Sequence, residues 1–259
     1  MPWPTSPLQQ LFYRDPQPVL SDQHTAVRLQ TGDFSFAKGA VCVPVVIGEF
    51  AHASRNYPVL FASGDDNGPI VLLGLGTQNL FIDGTQWASG TYVPAYVRRY
   101  PFGLMSLSND GDQLVLCMDM GCPWVVPNGE EGRALFENGK EATQLTKDAL
   151  EFCSRFAAES NVTREFKKAL IDKGLLLDRR LDGKLPDGRP FAVDGFQIID
   201  DKKLTELDAD TLVDWHRKGW LACAYYHLAS LDRVNELVAR QADQPLPPMS
   251  PMAPPAAIN

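Results

Sequence analysis

The strongest constraint on this chain is a change of hydrophobic period near residue 141. Before it, apolar residues come in short runs separated by Gly, Pro, Asn and Asp. Beyond it they recur at helical spacing. Short extended runs need partner strands, and an amphipathic helix needs a sheet or another helix to cover its stripe. The expected class is therefore α+β, with a β-rich N-terminal half containing hairpins, followed by helices and a further hairpin. Charge divides at the same place. Residues 1–140 carry 8 basic and 13 acidic side chains, and residues 141–259 carry 16 and 19.

In the first part, Ala40 to Ile47, Pro58 to Ala62 and Ile70 to Leu75 read as strands, with Ser63-Gly-Asp-Asn-rich turn sequence before Pro69. Gly48 to Asn56 predicts one or two helical turns stopped by Pro58. Asn79 to Asp83 is a short strand closed by Asp83-Gly84. Phe102 to Leu107 and Gln113 to Met118 flank Asn109-Asp-Gly111, the clearest hairpin in the chain. In the second part, Ala149, Phe152, Phe156, Val162, Phe166, Ala169 and Leu170 predict a helix with a break near Ser160-Asn161 and a C-cap at Gly174. Arg180 to Leu185 and Phe191 to Ile199 predict a hairpin around Asp187-Gly188. Asp208 predicts an N-cap, followed by helical period over Thr211 to His216 and, past Gly219, over Trp220 to Val238.

Twenty prolines sharpen the boundaries. Pro2, Pro4, Pro7, Pro16 and Pro18 crowd the start, and Pro245, Pro247, Pro248, Pro251, Pro254 and Pro255 crowd the end, leaving nine between Val19 and Gln244. This predicts a Pro-rich N-terminal arm over 1–19, a single domain over 20–243 (β-rich over 20–140, mainly helical over 141–243) and a disordered Pro-rich tail over 244–259.

A net charge of −8 argues against nucleic acid as a partner. Without an apolar run long enough to span a bilayer, no integral membrane segment is expected. Met-Pro-Trp-Pro-Thr-Ser-Pro carries neither the basic nor the apolar region of an export signal. Five scattered cysteines fit reduced thiols, so the expected location is cytoplasmic, the alternative being the cell surface by a signal-less route. Cys117 and Cys122 lack the second ligand pair that a zinc site needs. Cys223 and His227 share a helix face, but the stripe is otherwise apolar. No metal, no cofactor and no catalytic residue is expected. Gly74-Leu-Gly76 lacks the rest of a phosphate loop and reads as a turn.

The most distinctive run is Tyr92-Val-Pro-Ala-Tyr-Val-Arg-Arg-Tyr-Pro-Phe102. Arg98 and Arg99 stand between tyrosines where basic residues are sparse, so they face either carboxylates, with Glu49 and Asp83 as candidates, or a ligand. With Tyr100, Asn79, Tyr92, Glu49 and Asp194 they form the candidate ligand-binding set. A structural ion pair is the competing reading of the two arginines.

The segments Asp33-Phe-Ser-Phe-Ala37, Val43 to Phe50, Tyr57 to Phe61, Leu72 to Leu75 with Asn79 to Asp83, and above all Tyr92 to Phe102 resemble the bacterial SapC family. Asp194-Gly-Phe196, Leu212 to His216 and His227 to Leu231 extend the resemblance over roughly residues 20 to 240. The family is associated by name with surface layers and brings no agreed catalytic residues. A membrane-spanning permease of the same name does not fit this hydropathy. The expected function is non-catalytic: a binding or accessory protein recognising a small anionic or peptide-like ligand, or a protein partner. The alternatives are an enzyme acting on a peptide or aromatic metabolite through Glu49 or Asp194, and a structural surface-layer component. Oligomeric state is left open.

Overall fold

A computed structural model describes residues 11–64, 67–106 and 114–243. The Asn109-Asp-Gly111 turn, part of the Ser63–Pro69 turn, the first ten residues and the tail from 244 lie outside them. The first part of the chain contains β1 (Pro16–Pro18), β2 (Arg28–Leu29), β3 (Cys42–Pro44), α1 (Phe50–Ala53), β4 (Val59–Ala62), β5 (Pro69–Leu72), β6 (Ile82–Asp83) and β7 (Gln86–Trp87). Then come α2 (Ala95–Arg98), β8 (Phe102–Ser106), β9 (Leu114–Asp119), β10 (Val125–Val126), β11 (Arg133–Ala134), β12 (Phe136–Glu137) and β13 (Glu141–Ala142). The second part has α3 (Gln144–Asp172), the long pair β14 (Leu176–Lys184) and β15 (Pro190–Ile199), and α4 (Asp201–Thr205), α5 (Ala209–Arg217), α6 (Trp220–Ser230) and α7 (Val234–Ala242). This is an α+β fold, strand-rich before residue 143 and mainly helical after it, as the change of period predicts. Among the described residues no helix is long and apolar enough to cross a membrane.

The largest sheet is antiparallel, in the order β14-β15-β4-β5-β3. Strands β4 and β5 are buried throughout, which suits their continuous apolar sequences. The predicted hairpin around Asp187-Gly188 is β14–β15. Asp194-Gly195 does not turn the chain. The ladder shifts register opposite Arg179 to Leu181, and Gly195 takes φ 75° at this bulge. A second sheet runs β1-β9-β8, its β8–β9 pair being the hairpin read from sequence. One hydrophobic cluster reaches from Phe12 to Leu237.

Three local details differ from expectation. The 29-residue α3 runs without a break at Ser160-Asn161. Ser160 Oγ donates to Phe156 O (2.7 Å) and Thr163 Oγ1 to Glu159 O (2.6 Å), so these hydroxyls bond within the helix instead of ending it. It ends at Gly174 in a Schellman turn: Leu175 N–H donates to Leu170 O and Gly174 N–H to Ile171 O. Next, the C-terminal helical stretch is divided. The break at left-handed Gly219 (φ 73°) between α5 and α6 falls where the sequence placed it, but the 3-10 turn Leu231–Arg233 divides the stretch from Trp220 to Val238 into α6 and α7. Asp208 caps α5 as expected, accepting from Thr211 N–H at 2.8 Å. Finally, residues 11–19 are not an arm outside the body. Phe12 and Tyr13 are buried, and β1 pairs with β9. Prolines fit there because β1 is the sheet's edge and needs no outward N–H donor.

Candidate functional site

The run Tyr92–Phe102 folds as one turn of helix, capped by Pro94, between a loop and β8. Successive residues of a helical turn point about 100° apart. This separates Arg98, Arg99 and Tyr100 into three surroundings, and no single surface holds them.

Arg98 is exposed. Its Nη2 donates to Tyr92 Oη and its Nε to Val93 O, both at 3.0 Å, and its guanidinium lies over the Tyr92 and Phe152 rings. Tyr92 Oη in turn donates to Glu49 Oε1 (2.9 Å). Glu49 is buried. It also accepts from Ala95 N–H (2.6 Å) and Val46 N–H (3.1 Å), so its carboxylate ties the start of α2 to the turn before α1. Burial pushes the Glu49 carboxyl above its ordinary range, against those donors and Arg98; burial, then Glu49, pushes Tyr92 up to about 12. The structure thus joins Glu49, Tyr92 and Arg98 into one chain of hydrogen bonds.

Arg99 turns inward. Its guanidinium lies 4.3 Å from the Tyr96 ring centroid, 4.7 Å from Phe156 and 5.7 Å from Tyr13, and no carboxylate pairs with it among the described residues. The predicted ion pair to Glu49 or Asp83 is absent at Arg99, and Asp83 is exposed in the β6–β7 hairpin. Burial holds the neighbouring Cys117 and Cys153 thiols up, to about 12 and about 11. Arg99→Met is expected to leave stability within about 1 kcal/mol, since an apolar chain of similar length keeps the ring contacts and removes a charge that no carboxylate answers. Arg99→Ala empties the slot and is expected to cost about 2–4 kcal/mol. Arg98→Ala is expected to cost under about 1 kcal/mol, as exposed cation–π contacts do. Urea unfolding of the three variants checks this order.

Tyr100 faces a cavity of about 470 Å³, bordered among the described residues by Phe12, Tyr13, Phe36, Trp124, Arg14, Asp33 and others. It lies at one end of the β1-β9-β8 sheet, where register brings Pro16 opposite Asp119 and Phe102 opposite Met118. The residues just before β1 and β8 and just after β9 therefore meet there. The rings interlock: Phe36 stacks on Tyr100 at 4.3 Å, and Trp124 stands edge-on to Tyr100 (5.9 Å) and to Phe36 (5.6 Å).

Asp119, fully buried, holds this wall. Its Oδ2 accepts from Tyr100 Oη at 2.8 Å, and its Oδ1 accepts from the backbone N–H groups of Asp15 (2.7 Å), Arg14 (3.1 Å) and Gly121 (3.2 Å). Burial, and then Asp119, pushes the Tyr100 hydroxyl far up, so it stays a donor. On the other side, Asp33 Oδ1 accepts from Ser35 N–H (2.8 Å), and this bond holds the Asp33 carboxyl below its usual range. Gly32 lets the chain pass Trp124. A Cβ on Gly32 would lie 2.2 Å from the indole atoms Cδ2 and Cε3. Gly32→Ala is expected to displace Trp124, lower stability by about 1–3 kcal/mol as overpacking does, and alter Trp124 emission in the folded protein.

The remaining candidates lie elsewhere. Asn79 is buried in a turn, accepting from Phe81 N–H (2.9 Å) and donating to Ala37 O (3.3 Å), so it braces the 3-10 turn Ser35–Ala37 that carries Phe36. Asp194 is exposed on β15, apart from Glu49 and from both arginines, with no hydrogen bond or ion pair among the described residues. Cys223 Sγ donates to Ile47 O, whereas His227 Nε2 accepts from Ile199 N–H, so their shared helix face serves packing.

The sequence did not mark Asp119, Trp124, Phe36, Asp33 or Arg14 as site residues, although Asp33 and Phe36 lie in a segment that carries the family resemblance. Asp-x-Ser at 33–35 is a turn signature, and Asp119 ends an apolar strand. Either signal marks a carboxylate that bonds backbone.

The SapC family model matches residues 20–237. The chain belongs to the SapC family. Phe36, Tyr100, Asp119 and Trp124 fall inside the matched span, and the strand bringing Tyr13 and Arg14 precedes it. No curated protein and no solved structure matches this SapC-family chain.

Proposed function

We propose that this SapC-family protein is a non-catalytic binding or accessory protein that holds a small peptide-like ligand in the cavity beside Tyr100. The observation that carries this reading is the wall itself: a space of about 470 Å³ bordered by five aromatic rings and a few polar groups, in the size range and chemistry of small-molecule sites. The ionisable groups behind the wall are occupied or held neutral. Asp119 is occupied by four donors, and the nearby thiols are held protonated by burial. This supports recognition over a reaction.

The test is titration of the protein, labelled with 15N at its indoles, with the uncharged probe N-acetyl-L-phenylalaninamide. The Trp124 resonance, assigned by Trp124→Phe, is expected to shift saturably, while those of the core residues Trp215 and Trp220 stay in place. Shifts confined to other indoles, or none at all, would remove the cavity as the site.

A further inference from the structure

Two opposite charges border this cavity without meeting each other. Arg14 is exposed at its mouth. Its backbone N–H is fixed on Asp119, and its guanidinium has no hydrogen bond or ion pair among the described residues. Asp33 borders the same space. Its carboxylate is engaged by Ser35, through the backbone N–H and the side chain, with the Lys38 charge also favouring its ionised form, and no ion pair forms to it among the described residues. An anion alone would meet Asp33, and a cation alone would meet Arg14. A ligand carrying both an ammonium and a carboxylate answers both charges.

Volume narrows the class. The cavity of about 470 Å³ is roughly three times the ~150 Å³ that takes up a benzene molecule. A single amino acid with one ring leaves much of it empty, whereas a peptide of two residues fills it. Phe36, Tyr100 and Trp124 offer ring faces and edges for an aromatic side chain.

Resting on the reading of this cavity as a ligand site, we propose that its ligand is a short unblocked peptide with an aromatic side chain. The carboxylate is taken by Arg14, the ammonium by Asp33, and the side chain by the Phe36–Tyr100–Trp124 rings. Arg14 suits the first role because a guanidinium pairs with a carboxylate through two parallel hydrogen bonds. Asp33 suits the second because its turn holds it ionised and aimed by a backbone N–H.

The experiment uses L-phenylalanyl-L-phenylalanine, its N-acetyl form, its C-terminal amide and the doubly blocked peptide, read by the Trp124 indole resonance. The unblocked peptide is expected to bind at least tenfold more tightly than the doubly blocked one. Asp33→Asn, which keeps the acceptor for Ser35 N–H, is expected to weaken the unblocked and amide forms about tenfold and to leave the N-acetyl form unchanged. Arg14→Gln is expected to weaken the unblocked and N-acetyl forms and to spare the amide. Because each variant is compared across ligands, a general loss of folding cannot imitate this crossed pattern. Equal affinity for all four forms, or variant effects that ignore the blocking groups, would overturn the charge assignment while leaving the cavity as a ligand site. No response at Trp124 to any form, the uncharged probe included, would overturn both.

Discussion

Asp119→Ala is expected to lower stability by about 3–5 kcal/mol, because several buried donors lose a charged acceptor together. The backbone N–H groups of Arg14, Asp15 and Gly121 and the Tyr100 hydroxyl all point at this one carboxylate, which is fully buried. Asp119→Asn is expected to be milder, about 1–2 kcal/mol. Its carbonyl oxygen still accepts from the backbone, and the Tyr100 hydroxyl can turn to accept from the new amide. Urea unfolding of both variants measures the difference. A loss under about 1 kcal/mol for the alanine variant would show that the cavity wall does not depend on this carboxylate. The substitution also frees the start of β1 and the Tyr100 ring together, so Trp124 emission should change in the folded variant even where the protein remains native.

Acid is expected to remove about 3 kcal/mol of stability through His227 alone as pH falls from about 6.5 to about 4. The ring is fully buried on α6 against Phe61. Nε2 accepts from Ile199 N–H at 3.0 Å, which places the proton of the neutral ring on Nδ1, and Nδ1 has no hydrogen-bond partner of good geometry among the described residues. Burial, opposed only by the Val59 carbonyl, pushes this histidine down from 6.5 to about 4. Between those values the unfolded chain binds a proton that the folded protein refuses. Unfolding therefore takes up about one proton, and stability rises with pH across the window and is lost as pH falls through it. His227→Gln keeps an acceptor for Ile199 N–H and has no proton to bind. Relative to the parent, its unfolding free energy should lose this slope of about 1.4 kcal/mol per pH unit. Parallel pH profiles for the two proteins would mean that His227 titrates normally in the fold.

Local features were legible from the residues because their causes are local. The Asp208 cap, the Gly174 helix end and the Asp187-Gly188 hairpin turn each depend on hydrogen bonds or dihedral angles within a few residues. The α+β class followed from the change of hydrophobic period, because burying one face of each element leaves few alternatives. The local reading failed at Ser160-Asn161, where hydroxyls that can also end a helix bond inside it instead. The α3 helix continues through Ser160-Asn161 because Ser160 Oγ and Thr163 Oγ1 bond carbonyls of their own helix.

The candidate site was only half legible. The sequence by itself determined that Tyr92 to Phe102 is unusual, that its arginines need an explanation, and that the chain resembles the SapC family. Tertiary structure decided what the run does. A single helical turn sends Arg98 to Glu49 through Tyr92, Arg99 among rings and Tyr100 to the cavity. It also decided the rest of the wall, where Asp119 grips Arg14 and Asp15 across 105 and 104 residues and Gly32 makes way for Trp124. Contacts of that span are set by the pairing of β1 with β9 and β9 with β8. The β8–β9 hairpin is local and was legible, whereas β1 meets β9 from the far end of the first part of the chain, and no stretch of neighbouring residues encodes that pairing.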